Sequence, residues 1–229
     1  MTDSQRLRTI PEGIRLVSEV AGELASRGEG RTSVLAVATY LPMDVDSVAR
    51  VFEGFEEVPG VARVQIGTRA EYEIGDTDRF RRGDEGIDSP ELLEGAREFL
   101  RAVGELKLDD EWVRKVEEQH ELLFLVAGSG KEELELGYLT RRVKWPRARV
   151  QSVLNDFDAE GYIDVLIDEE GDEVRYSFPP LEYPKERYER NMELLQDVAP
   201  GGRSKVWLWI ALAVLGVIIL AVVVLLRVT

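Results

Sequence analysis

The sequence predicts an α+β chain: two consecutive repeats of three helices and a β-hairpin, then one C-terminal helix that spans a membrane. Three observations predict it. An apolar run of 21 residues, Val206 to Leu226, sits near the end of a chain of 229. Apolar residues recur at a shift of 102 positions: Leu41 with Val143, Val48 with Val150, Val51 with Val153, Phe52 with Leu154 and Phe55 with Phe157. Alternating apolar runs flank short Gly-containing turns, which is the mark of a hairpin.

The elements follow in order. Pro11 to Ser26 supplies a first helix, and Asp44 to Glu57 a later helix that the repeat aligns with Pro146 onward. Val61 to Ile66 and Ala70 to Ile74, around Gly67-Thr68, form the first hairpin. Gly75 to Ser89 is polar and rich in Gly and Asp, and reads as a joint. Ser89-Pro90-Glu91 starts a helix, with Ser as cap and Pro at the first position, and Leu92, Ala96, Phe99, Leu100 and Val103 make its apolar stripe. Gly95 and Gly104 each weaken that helix by about 1 kcal/mol relative to Ala, so packing must hold it. Glu111 to Val126 is the next helix, closed by Gly128-Ser129-Gly130, and Glu132 to Val143 reads as one short helix. After Pro146, Val150, Val153, Leu154 and Phe157 recur at helical spacing. Ile163 to Ile167 and Val174 to Phe178 then form a hairpin around Glu170-Gly171. Tyr188, Met192 and Leu195 make a narrow stripe that either seals against the second unit or pairs with a second copy.

The stretch VQSVLNDFDAEGYIDVLIDEEGDEVRYSF, with the helices before it, resembles winged helix-turn-helix domains, and the first unit repeats the theme. The resemblance implies tandem winged-helix domains. The chain divides into a first unit over 1–75, a linker over 76–89, a bridging helix with the second unit over 90–180, a juxtamembrane segment over 181–205 and the membrane helix over 206–226.

The final run fits a bilayer. A helix of that length extends about 31 Å, against a hydrocarbon core of about 30 Å. Trp207 and Trp209 lie at its edge, where amphipathic rings favour the interface, and Arg203 and Lys205 precede it. The first residues, MTDSQRLRTIPEG, carry no apolar stretch of the signal-peptide kind. The pattern resembles tail-anchored proteins, which implies a single-pass membrane protein with a cytoplasmic N-terminal body and a lipid bilayer around 206–226.

Composition narrows the chemistry. There are 44 Asp+Glu against 29 Lys+Arg, a net charge of −15, one His and no Cys. Disulfides, Cys-ligated zinc, iron–sulfur centres and a Cys nucleophile are excluded, as is any site that needs two imidazoles. Gly128-Ser129-Gly130-Lys131 fails the phosphate-loop pattern, because Leu125 and Glu132 stand where Gly and Ser or Thr are needed. His120, among Glu117, Glu118 and Glu121, reads as a solvated helix face. The acid run Asp168 to Glu173 reads as a hairpin tip, since it lacks the spaced ligands of a calcium loop. No cofactor or metal site and no enzymatic activity is expected.

One cluster is basic: Arg141, Arg142, Lys144, Arg147 and Arg149 crowd the start of the third helix of the second unit, and Gln151, Ser152 and Asn155 lie on that helix's non-core side. In winged-helix DNA binders this region enters the major groove. Against that, Leu108 to Pro180 holds 18 acids and 9 bases, and the first unit offers Asp44, Asp46 and Glu53 at the equivalent helix. Acids near phosphate oppose the counterion release that drives such binding. The expected function is therefore a membrane-anchored, non-enzymatic adaptor or scaffold that recruits a protein partner or a second copy, with a membrane-tethered DNA-binding transcription regulator as the alternative.

Overall fold

The computed structural model describes residues 11–80, 89–105, 110–167 and 174–198. The membrane span at 206–226 with its flanking Arg203, Lys205, Trp207 and Trp209, the acidic hairpin tip at 168–173 and part of the linker lie outside the described residues. Among the described residues no helix is long and apolar enough to cross a membrane.

The first repeat runs α1 (Pro11–Arg27), β1 (Arg31–Thr32), α2 (Val34–Ala38), α3 (Val45–Phe55), β2 (Val61–Ile66) and β3 (Arg69–Ile74). After α4 (Pro90–Glu105) the order returns as α5 (Asp110–Ser129), β4 (Glu133–Glu135), α6 (Leu136–Arg142), α7 (Arg147–Ala159), β5 (Asp164–Ile167) and β6 (Val174–Ser177), and α8 (Lys185–Val198) follows. The chain is thus α+β, with two small antiparallel sheets of order β1-β3-β2 and β4-β6-β5. Thr32 lies opposite Tyr72 and Leu134 opposite Tyr176, so the two sheets share one register plan.

The sheets correct one expectation. Glu132 to Val143 is not a single helix. Glu133–Glu135 pairs with β6, and α6 begins only at Leu136. Leu134 and Leu136 are both buried while Glu133 and Glu135 are exposed, an alternation of period two that a strand satisfies and a helix does not. Strands of two or three residues are too short to announce themselves by alternation, which is why β1 also escapes the sequence reading.

Capping and packing explain the remaining elements. Ser33 caps α2 by accepting from the Ala36 amide at 3.1 Å, and Ser89 caps α4 by accepting from the Leu92 amide at 3.2 Å. Leu16, Val17 and Val20 of α1 pack with Leu35, Val48, Phe52 and Ile74 into a fully buried core. Phe52 and Tyr72 sit 4.4 Å apart between ring centroids. Burial pushes the Tyr72 phenol up to about 12. Phe80, from the predicted linker, packs on Phe55 at 5.5 Å. It also presses on Gly22, where any Cβ would meet it at 2.6 Å, so α1 needs glycine there.

The stripe predicted for α4 is buried throughout, from Leu92 to Val103. The sequence reads α4 as a bridging helix, and its main contacts are with α1 of the first repeat and with α8. Helix α8 also packs on α5, where Tyr188 stacks on Phe124 at 4.4 Å, so its stripe seals within the chain.

A buried polar seam joins the repeats. His120, on α5, is fully buried rather than solvated, because it faces the α2–α3 turn of the first repeat. Its Nε2–H donates to the Met43 carbonyl at 2.9 Å, and its Nδ1 accepts from the Tyr183 hydroxyl at 2.6 Å. Asn191 of α8 donates to the Tyr183 oxygen at 3.0 Å and to the Thr39 carbonyl at 3.3 Å. That chain of donors requires neutral imidazole with its proton on Nε2. Arg187 lies over the Tyr40 ring at 3.5 Å, adding a cation–π contact across the same junction.

Burial lowers the His120 imidazole to about 4, so the native state refuses a proton that the unfolded chain accepts below its ordinary value of 6.5. Stability held above pH 6.5 is therefore lost as pH falls toward 4, by about 3 kcal/mol at most. Buried Asp44 is raised by desolvation and titrates with the opposite sign, so the variant comparison isolates the histidine. His120→Gln is expected to be less stable at pH 7 and to flatten the loss between pH 6.5 and 4.5. Urea unfolding of both proteins across that range measures it; parallel curves would refute the assignment.

Candidate functional site

The surface that a helix-turn-helix would use for recognition is the start of its third helix and its hairpin. In the first repeat the helix start is covered by the second repeat, and the hairpin turn is hydrogen-bonded to it while staying exposed. Asp44 caps α3, accepting from the Ser47 amide at 3.1 Å and from the Ser47 hydroxyl, and its carboxylate also accepts from the Trp112 indole N–H at 3.0 Å. The next free amide, Val45 N–H, donates to Gln119 Oε1 at 2.9 Å. Amides at a helix start have no partner inside the helix, so these contacts satisfy what solvent or a ligand would otherwise meet. Asp44 is fully buried, and desolvation raises its pKa against the pull of the Ser47 hydrogen bond. Asp46, one residue into the helix, pairs with Lys115 of α5.

The first hairpin is docked as well. At its turn the Thr68 amide donates to Asp164 Oδ1 at 2.8 Å, and the Thr68 hydroxyl donates to the same oxygen. The Ala70 amide donates to the Gly161 carbonyl at 2.8 Å. Gly161 closes α7 with φ +72, a left-handed conformation that glycine adopts without strain, and so turns its carbonyl toward the first repeat.

Among the described residues the second repeat leaves the corresponding helix start open. Arg141 and Arg142 occupy the last turn of α6, where helix carbonyls favour cations, and both are exposed. Arg142 lies over the Tyr138 ring at 5.3 Å. Lys144 and Arg147 are exposed, and Pro146 holds the cap position without a side-chain hydrogen bond. Arg149 is drawn away from this group: its Nε and Nη2 reach Glu118 Oε2 at 2.8 and 2.5 Å, which raises its pKa further. Trp145 donates its indole N–H to Glu121 at 2.9 Å, fixing the turn between α6 and α7. Gln151, Ser152 and Asn155 are exposed as expected, sharing that face with Asp156, Asp158 and Glu160. Of the five basic residues the structure therefore leaves four toward solvent and ties the fifth into the body.

Sequence reasoning did not find Trp112, Gln119 and Asp164 as contact residues. The signal available was a tryptophan and a glutamine on the apolar side of an otherwise amphipathic helix, positions at which polar atoms need a buried partner. Leu166 and Ile167, at the outer end of β5, are 39% and 75% exposed, which leaves apolar surface on an edge strand. Among the described residues no group of three or more potential metal ligands converges. A groove of about 490 Å³ runs between β1 and the segment Pro179 to Glu182. Its arginines are held by neighbours: Arg27 by Glu23, Arg31 by Glu73 and Arg69 by Glu71.

Trp112→Phe keeps an aromatic ring but removes both the donor to buried Asp44 and the five-membered ring of the indole. A loss of about 1–3 kcal/mol is expected, read from urea unfolding monitored by circular dichroism. A change within about 0.3 kcal/mol would mean that the indole hydrogen bond carries no weight in joining the repeats.

Searches against known families and curated proteins returned no matching family model and no matching curated protein.

Proposed function

We propose that the chain is a non-enzymatic, membrane-anchored adaptor in which two tandem winged-helix domains act as one unit that recruits a protein partner. One observation carries the reading: the start of α3 is buried against α5, and the turn of the first hairpin, itself exposed, is hydrogen-bonded to Asp164 of β5. These are the surfaces a DNA-reading winged helix keeps free. A repeat that spends them inside the chain has the character of a scaffold. The repeated element order, the repeated sheet order and the shift of 102 support the tandem winged-helix assignment. The anchor rests on the apolar run at 206–226, long enough for a hydrocarbon core. Confinement to a surface raises the effective concentration of the body for any partner there. The acidic body is repelled by an anionic leaflet and so stands clear of it, with its N-terminal side in the cytoplasm.

The DNA-binding alternative retains one observation in its favour, the exposed Arg141, Arg142, Lys144 and Arg147 beside α7. The acids Asp156, Asp158 and Glu160 on the exposed side of that helix oppose it.

Two measurements test the reading. The full chain is expected in the membrane pellet after an alkaline carbonate wash, and deletion of 206–226 is expected to release it to the supernatant. A mobility shift at physiological salt is expected to find no duplex bound below about micromolar, against the 10⁻⁸–10⁻¹¹ M typical of specific binders. Tight duplex binding abolished by Lys144→Glu with Arg147→Glu would establish the transcription-regulator reading instead.

A further inference from the structure

We propose that the α6–α7 turn of the second repeat is the docking site for a short acidic segment of the partner protein. This rests on the adaptor reading and names the chemistry of its partner. The starting point is an imbalance of pairing. Within the second repeat Arg114, Lys115, Arg149 and Arg175 each have a carboxylate partner. Arg141, Lys144 and Arg147 form no ion pair among the described residues, although the chain carries 44 acids against 29 bases. Among the described residues, three neighbouring exposed cations that pair with no carboxylate present their charge outward.

The turn that carries them is rigid. Its Trp145 is held by Glu121, Val143 is buried, and the Val143 amide donates to the Leu139 carbonyl at 3.0 Å. Partly buried Tyr138 and Trp145 add aromatic surface beside the cations, the composition that interface cores favour. The backbone that carries the charges is therefore held before a partner arrives, so binding has to order only the side chains.

The surroundings select the occupant. A duplex or an anionic bilayer is an extended polyanion and would meet the whole face at once. That face includes Asp156, Asp158 and Glu160 along α7, and Glu118 is already committed to Arg149. Like charges in register with a long polyanion cancel the gain at the patch. A segment of a few acidic residues covers only the cations and avoids the ring of carboxylates. Arg141 and Arg147 are suited to bidentate contact with its side chains, and Lys144 to a single charge-assisted bond.

The test uses the full chain in nanodiscs of zwitterionic phosphatidylcholine, which has no net charge, and a fluorescein-labelled octaglutamate peptide, with anisotropy as the readout. Binding is expected, weakening as salt rises from about 0.1 to about 0.3 M. Arg141→Glu with Arg147→Glu is expected to reduce affinity at least tenfold, or about 1.4 kcal/mol. Arg97→Glu with Arg101→Glu, the same change of charge on α4, is expected to change it less than twofold. Equal loss in both variants would overturn the proposal, because net charge alone would explain it. So would absence of peptide binding, or tighter binding to a 20-base-pair duplex or to phosphatidylserine vesicles than to the peptide. Circular dichroism of both variants checks that the fold is intact. Affinity capture separates this inference from the one beneath it: a specific protein held equally by wild type and the Arg141/Arg147 variant overturns the docking site and leaves the adaptor standing, whereas peptide binding with no stable protein partner overturns the adaptor.

Discussion

The polar seam between the α2–α3 turn and helices α5 and α8 is the constraint on which the rest of this structure depends. Thr39, Asp44, Gln119, His120 and Asn191 are all buried there, and each finds a partner from another element. Buried polar atoms tolerate few arrangements, because an orphaned donor or acceptor loses its hydration without recompense. Apolar packing alone would let the repeats slide. The seam selects one register, with the end of α2, the start of α3, the middle of α5 and α8 meeting at fixed hydrogen bonds. Tyr183, from the segment before α8, accepts from Asn191 and donates to His120, so the last helix is tied to the same junction.

This arrangement makes two homologous element orders into unequal halves. The first repeat turns the start of α3 inward against α5 and becomes the base on which the second is mounted. The second keeps its α6–α7 turn in solvent, with Arg141, Lys144 and Arg147 exposed and in no ion pair among the described residues. The order of elements is shared; the chemistry at equivalent positions is not.

Much of the fold was legible because it follows from periodicity. Helices α1, α3, α4, α5, α7 and α8 carry apolar residues at helical spacing, and β2, β3, β5 and β6 alternate around glycine turns. The strands β1 and β4 were not legible, because two or three residues hold less than a full cycle of any pattern. The seam was hidden for a different reason. His120 stands among three glutamates in sequence, and local composition points it at water. Only the approach of the first repeat, 77 positions earlier at Met43, makes its face an interior one. The basic cluster was visible as a run of residue types, but the diversion of Arg149 to Glu118 depends on a neighbour 31 residues away. Long-range pairing of this kind leaves no trace in spacing.

The cap at Asp44 has a consequence for growth of the assembly. A contact between the front of one repeat and the back of the next is heterologous, and such contacts propagate into arrays when each copy offers both halves. At the shift of 102 the position of Asp44 is taken by Pro146, which has neither a carboxylate to receive an indole nor a backbone N–H to offer. Position 18, the equivalent of His120 in α1, is Ser18. The second copy therefore lacks the acceptor and the first lacks the imidazole, so the hydrogen bonds of this seam cannot be repeated between further modules.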